Sequence, residues 1–568
     1  MEKHEGPQRD RRSSDHSPVE PGDAQLVEAQ NTSSIVAGSD PTATGPPPTA
    51  NTLVEEEWEY VTGWRLYVVI GIVALASFLM LLDTSIIVTA IPRITSDFHS
   101  LGDVGWYGSS YLLASCALLP STGRIYSQFN SKYTFVSFLA LFELGSLICA
   151  LSNSSNMLIV GRAIAGMGGS GLSNGGLTII SACVPLQKRA AYLGFLMSFA
   201  QLGILFGPLI GGALTEHATW RWCFWINLPC GGVVAGFLLM IAIPDRNAKS
   251  TDKVTVKSLL KSLDLLGFAL FAPTAIMFLL ALEWGGTKYA WDSATVIGLF
   301  CGAAGTLPLF CFWEYRKGEG AMIPWPMVKQ RVVWSSCLTM ICFFGNQLIT
   351  SYYLAIYFQA VRGVAPTLSG VYVLPGILSQ MFAAMFSGVL VGRLGYYLPW
   401  SIGSSILAAI SSGLISTYNP NTSTGIWIGY QIIGGFGRGC GLQMPVVAIQ
   451  NTIPASQNSV GMSLVAFSQT FGGAIFLSVA QTGFGSALRD ALHKHAPEVS
   501  PAVVAQAGAT GFRAVIAKAS IPGVIEAYST AVAHAFYIAS GASVACFVFA
   551  WGMGWKSIKK AKVAEPAS

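Results

Sequence analysis

The stretch Gly203-Ile-Leu-Phe-Gly207-Pro208-Leu-Ile-Gly211-Gly212 lies inside an apolar run. Proline removes a backbone donor and crowds the preceding helical turn, and glycine weakens a helix by about 1 kcal/mol relative to alanine. In lipid the same residues let backbones approach closely and let a helix bend. Four glycines and a proline in ten residues therefore predict a membrane helix that packs tightly and moves, as a protein that carries solutes across a bilayer requires.

The whole chain fits that solvent. Its 568 residues are 52% hydrophobic and 11% charged, with a mean hydropathy of +0.53, whereas soluble domains carry about 25% charged residues. The net charge of +5 is spread out, and no nucleic-acid-binding pattern appears, so no nucleic-acid partner is expected. Residues 1–60 are polar and acidic, with Pro46, Pro47 and Pro48 in a row. They lack the basic start and apolar core of a secretory signal and read as a disordered cytoplasmic tail. Arg11-Arg12-Ser13-Ser14 is taken as solvated tail rather than a phosphorylation site. The eleven cysteines lie in or beside apolar stretches without a Cys-x-x-Cys pair. Buried free thiols are expected, with no metal site.

A spanning helix needs about 20 mostly apolar residues. Fourteen stretches qualify, the first near 66–92 and the last near 532–555. Basic residues orient them. With the N-terminus in the cytoplasm, inside segments hold Arg246, Lys249, Lys253, Lys257 and Lys261, then Arg316, Lys317, Lys329 and Arg331, then Lys556, Lys559, Lys560 and Lys562. Outside loops hold Arg93, Arg221, Lys288 and Arg362. Both termini are then cytoplasmic, and the sequons at Asn153 and Asn421 face outward as candidate glycosylation sites in very short loops.

The sequence also echoes itself. Gly166-Met-Gly168-Gly-Ser resembles Gly435-Phe-Gly437-Arg-Gly, and Gly123-Arg-Ile-Tyr-Ser resembles Gly388-Val-Leu-Val-Gly. Two echoes at nearly one offset, running in the same direction, indicate a parallel repeat. The expected fold is all-α: a six-helix bundle over 61–243 and a second over 334–555. Cytoplasmic loops and two inserted helices fill 244–333, a long outward loop covers 484–531, and 556–568 is a cytoplasmic tail.

These motifs together resemble the major facilitator superfamily, and within it the fourteen-span fungal drug:proton antiporters. Leu82-Asp83-Thr-Ser-Ile-Ile-Val-Thr-Ala-Ile-Pro92 is similar to that family's first-helix motif. Gly161-Arg162 followed by Gly166-Met-Gly168 is similar to its arginine motif, and Gly203, Gly207, Pro208, Gly211 and Gly212 to its antiporter signature. Trp220-Arg221-Trp222-Cys-Phe-Trp-Ile-Asn227-Leu-Pro229 is similar to the fungal members. The resemblance implies that Gly123, Arg124 and Lys132 form an inter-bundle loop. Here, however, Ser127 stands at the loop's acidic position and Asn130 at its later glycine, which puts a charge-based brace in doubt.

Charges inside a bilayer cost about 2.5–3.5 kcal/mol each on insertion scales and point to function. At 1.5 Å per residue, Asp83 is about 13 Å and Arg162 about 8 Å below the outer surface. Asp83 is expected to bind the coupling proton and Arg162 to be its intermittent partner; a static buried ion pair is the rival reading. Glu143 is read as structural, and Arg438 as lining the cavity or bonding a carbonyl. Gln201, Asn346, Gln347, Tyr353, Tyr357 and Gln469 are candidate cavity residues, Tyr357 being equally readable as an interfacial aromatic.

The expected function is proton-coupled export of amphipathic compounds (drugs, toxins or secondary metabolites) by a monomer in the plasma membrane, with the vacuolar membrane as alternative. Siderophore or basic-amino-acid transport and a non-transporting sensor are the other readings. No enzyme is expected: the Gly-rich stretch Gly166–Gly171 lacks the strand and the Gly-Lys-Ser/Thr ending of a phosphate loop. No cofactor is expected beyond the proton gradient.

Overall fold

The computed structural model describes residues 60–100, 103–244, 263–286 and 288–559. The tail with Arg11 to Ser14, the loop with Arg246, Lys249, Lys253, Lys257 and Lys261, and the terminal Lys560 and Lys562 lie outside the described residues.

Apolar runs of membrane length become long helices, with Gly, Pro and Asn at their breaks. In chain order they are α1 (Trp64–Phe98), α2 (Val104–Gln128), α3 (Ser131–Ala150), α4 (Ser155–Cys183) and α5 (Leu186–His217). Then come α6 (Trp222–Met240), α7 (Leu265–Trp284) and α8 (Ala294–Lys317). Next are α9 (Arg331–Val361), α10 (Pro366–Leu394), α11 (Leu398–Ile415), α12 (Thr424–Gln450), α13 (Asn458–His495) and α14 (Ile521–Ala550). Among the described residues twelve helices are long and apolar enough to cross a membrane. α2 and α4, of 25 and 29 residues, have the length but more Ser and Gly. The set is compatible with fourteen spans. Strands are absent among the described residues; two isolated bridges, Gly285 to Tyr289 and Tyr396 to Ser557, are the only β pairings there.

α1 packs along α5, and α4 against α2 and α3, forming a first bundle from α1–α6. α9 packs on α13 and α14, and α12 on α10 and α11, forming a second from α9–α14. The bundles meet where α5 crosses α10 and α2 crosses α13. The repeated glycines sit at matching crossings. A Cβ on Gly166 would overlap the Tyr111 carbonyl of α2, and one on Gly435 the Gly376 carbonyl of α10. Gly123 lies against Val460 and Ser463 of α13, and Gly388 against Ala190 of α5. Only glycine allows backbones this close.

We call the face at which α1 begins the near end. The bundles are closed against each other there. Gly194 and Gly388 bring α5 and α10 into backbone contact, and Asn458 Nδ2 donates to Ser181 Oγ at 2.6 Å. α7 and α8 stack on each other, and α7 lies beside α2 and α13, at one of the two crossings.

The segment 484–531, expected to be an outward loop, is largely helical. α13 runs on to His495, a further helix covers Pro501–Val515, and α14 starts at Ile521. Hydropathy stops near Gly483, but the helix continues as an amphipathic extension that buries Leu488, Ala491 and Leu492 while Arg489 and Asp490 face out.

Candidate functional site

The site begins in the middle of α1. Asp83 and Arg162 are fully buried and ion-paired through Arg162 Nη1 and Asp83 Oδ2. A charge in this setting must be paired and hydrogen-bonded to persist. Each partner is held from a second side. Arg162 Nε donates to the Tyr107 carbonyl of α2 at 3.0 Å, and its guanidinium stacks on the Tyr111 ring at 4.7 Å. Asn227 Nδ2, on α6, donates to Asp83 Oδ1 at 3.0 Å and to Ser146 Oγ of α3 at 3.1 Å. One ion pair thus draws on all of α1, α2, α3, α4 and α6. Nothing in sequence spacing assembles this set. Asn227 could have been singled out as an amide buried in an apolar span; Ser146 and Tyr107 carry no such signal.

Behind Asp83 lies the antiporter signature. Gly203 abuts the Phe78 carbonyl and Leu82 N, Gly207 abuts Ser85, and Gly211 abuts Ile86 and Thr89. The spacing of four places them on one face of α5, directly against the Asp83 segment of α1. Pro208 has no N–H, so the Ile204 carbonyl one turn back loses its helical partner. Ser85 Oγ donates to that carbonyl at 2.9 Å. Gly212 has open space beside it.

Arg124 does not meet an acid within its own loop. Its Nε donates to the Ala321 carbonyl at 2.5 Å and its Nη2 to the Glu319 carbonyl, both in the turn after α8. That turn is fixed by Asp264, the N-cap of α7, which accepts from Met322 N at 2.8 Å, Trp313 Nε1 at 2.8 Å and Lys317 Nζ at 2.7 Å. Burial pushes the Asp264 carboxyl up, but the hydrogen bonds from Lys317, Trp313, Met322 and Gly267 outweigh it and hold the group below its usual range. Asp264 has φ 50°, a left-handed backbone that a non-glycine residue adopts rarely. The brace therefore joins α2 to the inserted pair. Lys132 Nζ instead donates to the Leu239 carbonyl at 2.7 Å, within the first bundle, and Asn130 caps α3.

The cavity candidates separate. Asn346 is buried and donates to Ser412 Oγ, Ser543 Oγ and the Ala539 carbonyl at 2.8–3.0 Å, tying α9 to α11 and α14. Tyr357 is buried, its hydroxyl donating to the Asn419 carbonyl at 2.9 Å. Tyr353 packs on Phe484. Gln201, Gln347 and Gln469 are partly exposed. Arg438 is 95% buried (5% exposed), with Nε and Nη1 unpartnered. Asn153 and Asn421 are exposed in short turns at the far end.

The major facilitator superfamily model matches residues 73–477, and the chain belongs to that family. It is 55% identical over 508 residues to the MFS-type transporter pigP of Monascus ruber, covering 89% of each chain. It is 56% identical over 512 residues to the efflux pump mlcE of Penicillium citrinum, covering 89% of this chain and 93% of that one. The efflux pump mokI of Monascus pilosus is 52% identical over 507 residues, covering 88% and 93%. Among solved structures, the human organic anion transporter MFSD10 aligns with a TM-score of 0.58 at 12% identity, over 86% of this chain and 100% of that one. At that identity the likeness concerns the fold. The chain is thus a multi-pass membrane transporter of small molecules, similar to fungal efflux pumps, and not an enzyme.

Proposed function

We propose that the protein exports amphipathic secondary metabolites or toxins from the cytoplasm, driven by protons entering in exchange. The observation that carries this reading is the buried Asp83–Arg162 pair. A carboxylate in contact with a guanidinium holds its proton weakly; separated from it in a dry core, the same carboxyl holds one strongly. Alternating between these states would give proton uptake on one side and release on the other. The antiporter signature packed on the Asp83 segment offers a mechanical link between α5 movement and that pair. Relatives named as efflux pumps support the outward direction.

In this reading the near end is cytoplasmic and both termini lie on that side, as the basic residues suggest. The protein works as a monomer in the plasma membrane, with no cofactor. Closure of the near end then corresponds to an outward-facing state of an alternating-access cycle. Gln201, Gln347, Gln469 and Arg438 are the substrate-contact candidates, while Asn346 and Tyr357 serve helix packing.

The test is efflux from proteoliposomes under a pH gradient. Asp83→Asn should fold, bind substrate and lose gradient-driven efflux, falling to the rate seen without a gradient. Undiminished gradient-driven efflux would overturn the coupling role. Deletion of the gene should lower exported metabolites or drug tolerance; unchanged profiles of both would remove the exporter reading.

A further inference from the structure

Glu143 stands one turn before Ser146 on α3, and Gly231 one turn after Asn227 on α6. These two turns face each other: a Cβ on Gly231 would overlap Glu143 Oε1. Both carboxyl oxygens of Glu143 are buried, and neither has a hydrogen-bond partner. The amide oxygen of Asn227, whose nitrogen holds Asp83, is also buried and unpartnered. An ionised carboxylate would not stay in this setting without donors, because desolvation disfavours it. A neutral carboxyl would.

Charge counting points the same way. The titratable and charged groups around this compartment are Asp83 on α1, Tyr111 on α2, Cys149 on α3, Arg162 on α4, and Cys223 and Cys230 on α6. They supply one fixed positive charge, on Arg162, against two carboxyls. With Arg162 balancing Asp83, Glu143 must carry a proton. When Asp83 takes a proton and releases Arg162, the compartment regains neutrality if Glu143 gives one up.

We propose that Glu143 is a second proton-holding carboxyl that alternates with Asp83, so that one of the two is protonated at a time. α3 starts at the near end, and Glu143 precedes Ser146 by three residues, about 4.5 Å closer to that end. A proton arriving at Asp83 from the far side is matched by one leaving Glu143 toward the near side. Glu143 then regains a proton from Asp83 when the Arg162 pair re-forms. One proton crosses per cycle, and no net charge builds up in the core. Glu143 acts on the carrier's proton and does not touch the exported molecule. The inference rests on the reading of Asp83 and Arg162 as the proton site.

The experiment is infrared titration of the purified full-length protein in lipid, joined to efflux measurements. Wild type should show at pH 7 the carbonyl stretch of a protonated carboxylic acid, and Glu143→Gln should remove it. In Asp83→Asn the Glu143 midpoint should fall by a pH unit or more, because a neighbouring negative charge has gone. Glu143→Gln, checked for an unchanged melting temperature, should lose acceleration by a pH gradient while exchanging substrate without one. No Glu143 band at pH 7, a midpoint unmoved by Asp83→Asn, or unaltered gradient acceleration in Glu143→Gln would each overturn the proposal. The infrared midpoint is read without transport. Its failure is therefore distinguishable from a failure of proton-driven export, which the Asp83→Asn efflux assay reads alone.

Discussion

The two bundles build the same internal junction from different chemistry. In the first, Asp83 on α1 meets Arg162 on α4, and Asn227 on α6 links that pair to Ser146 on α3. In the second, Asn346 on α9 bonds Ser412 on α11 and Ser543 on α14. The correspondence extends to the backbone: Arg162 donates to the Tyr107 carbonyl of α2, and Gln431 on α12 donates to the Tyr372 carbonyl of α10 at 3.0 Å. One half holds its helices with an ion pair and an extra acid, the other with amides and hydroxyls. The charges at the first junction are each costly in a membrane, and the second junction does without them.

That contrast can be broken by swapping the two chemistries. Arg162→Gln alone leaves Asp83 buried without a counter-charge and should destabilise by about 3–5 kcal/mol. Adding Asp83→Asn, which copies the Asn346 and Gln431 chemistry into the first bundle, should restore most of that stability while gradient-driven efflux stays absent. Thermal unfolding in detergent measures the first, proteoliposome efflux the second. Recovery of efflux in the double variant would show that the charges serve packing.

The reverse swap is milder. Asn346→Asp puts an acid among hydroxyls and a carbonyl with no cation, and should cost about 2–3 kcal/mol at neutral pH, since the acid can take a proton instead of staying charged. The loss should be greatest at high pH and shrink as pH falls, because protonation removes the uncompensated charge. A melting-temperature gap that widens on acidification would contradict the neutral-junction reading.

The smallest expected effect concerns the joint between α1 and α5. Ser85→Ala removes the donor to the Ile204 carbonyl freed by Pro208 and should cost about 1–2 kcal/mol. Combined with Pro208→Ala, which restores the helical N–H, that loss should disappear. Equal losses with and without Pro208 would mean that Ser85 acts by other contacts. The Asp264 carboxylate of the near-end brace should itself add no pH dependence in the working range. Asp264 is held below its usual range, so its contribution is full above the unfolded carboxylate pKa and is lost only as pH falls through the lower folded value.

Much of the architecture was legible because hydropathy and glycine placement act locally. Helices α1 to α6 fall where apolar runs stand, and the echoes Gly166/Gly435 and Gly123/Gly388 land on matching crossings. Legibility failed where side chains contribute without being apolar, as in the amphipathic end of α13 and in Arg124, whose partners are carbonyls about 200 residues away. The candidate site was half readable. Asp83 and Arg162 stand out as membrane charges. Asn346 was singled out as a cavity residue, whereas it ties α9 to α11 and α14, because polarity in an apolar span does not say which way a side chain turns.

By itself the sequence determined the solvent, the helical class, the repeat and the residues too costly to be accidental, since each follows from composition and local spacing. Tertiary structure alone decided that Asn227 holds Asp83, that Ser85 covers the carbonyl Pro208 exposes, and that Glu143 is enclosed against Gly231. These depend on which helix faces meet, and that is set by packing the whole bundle at once.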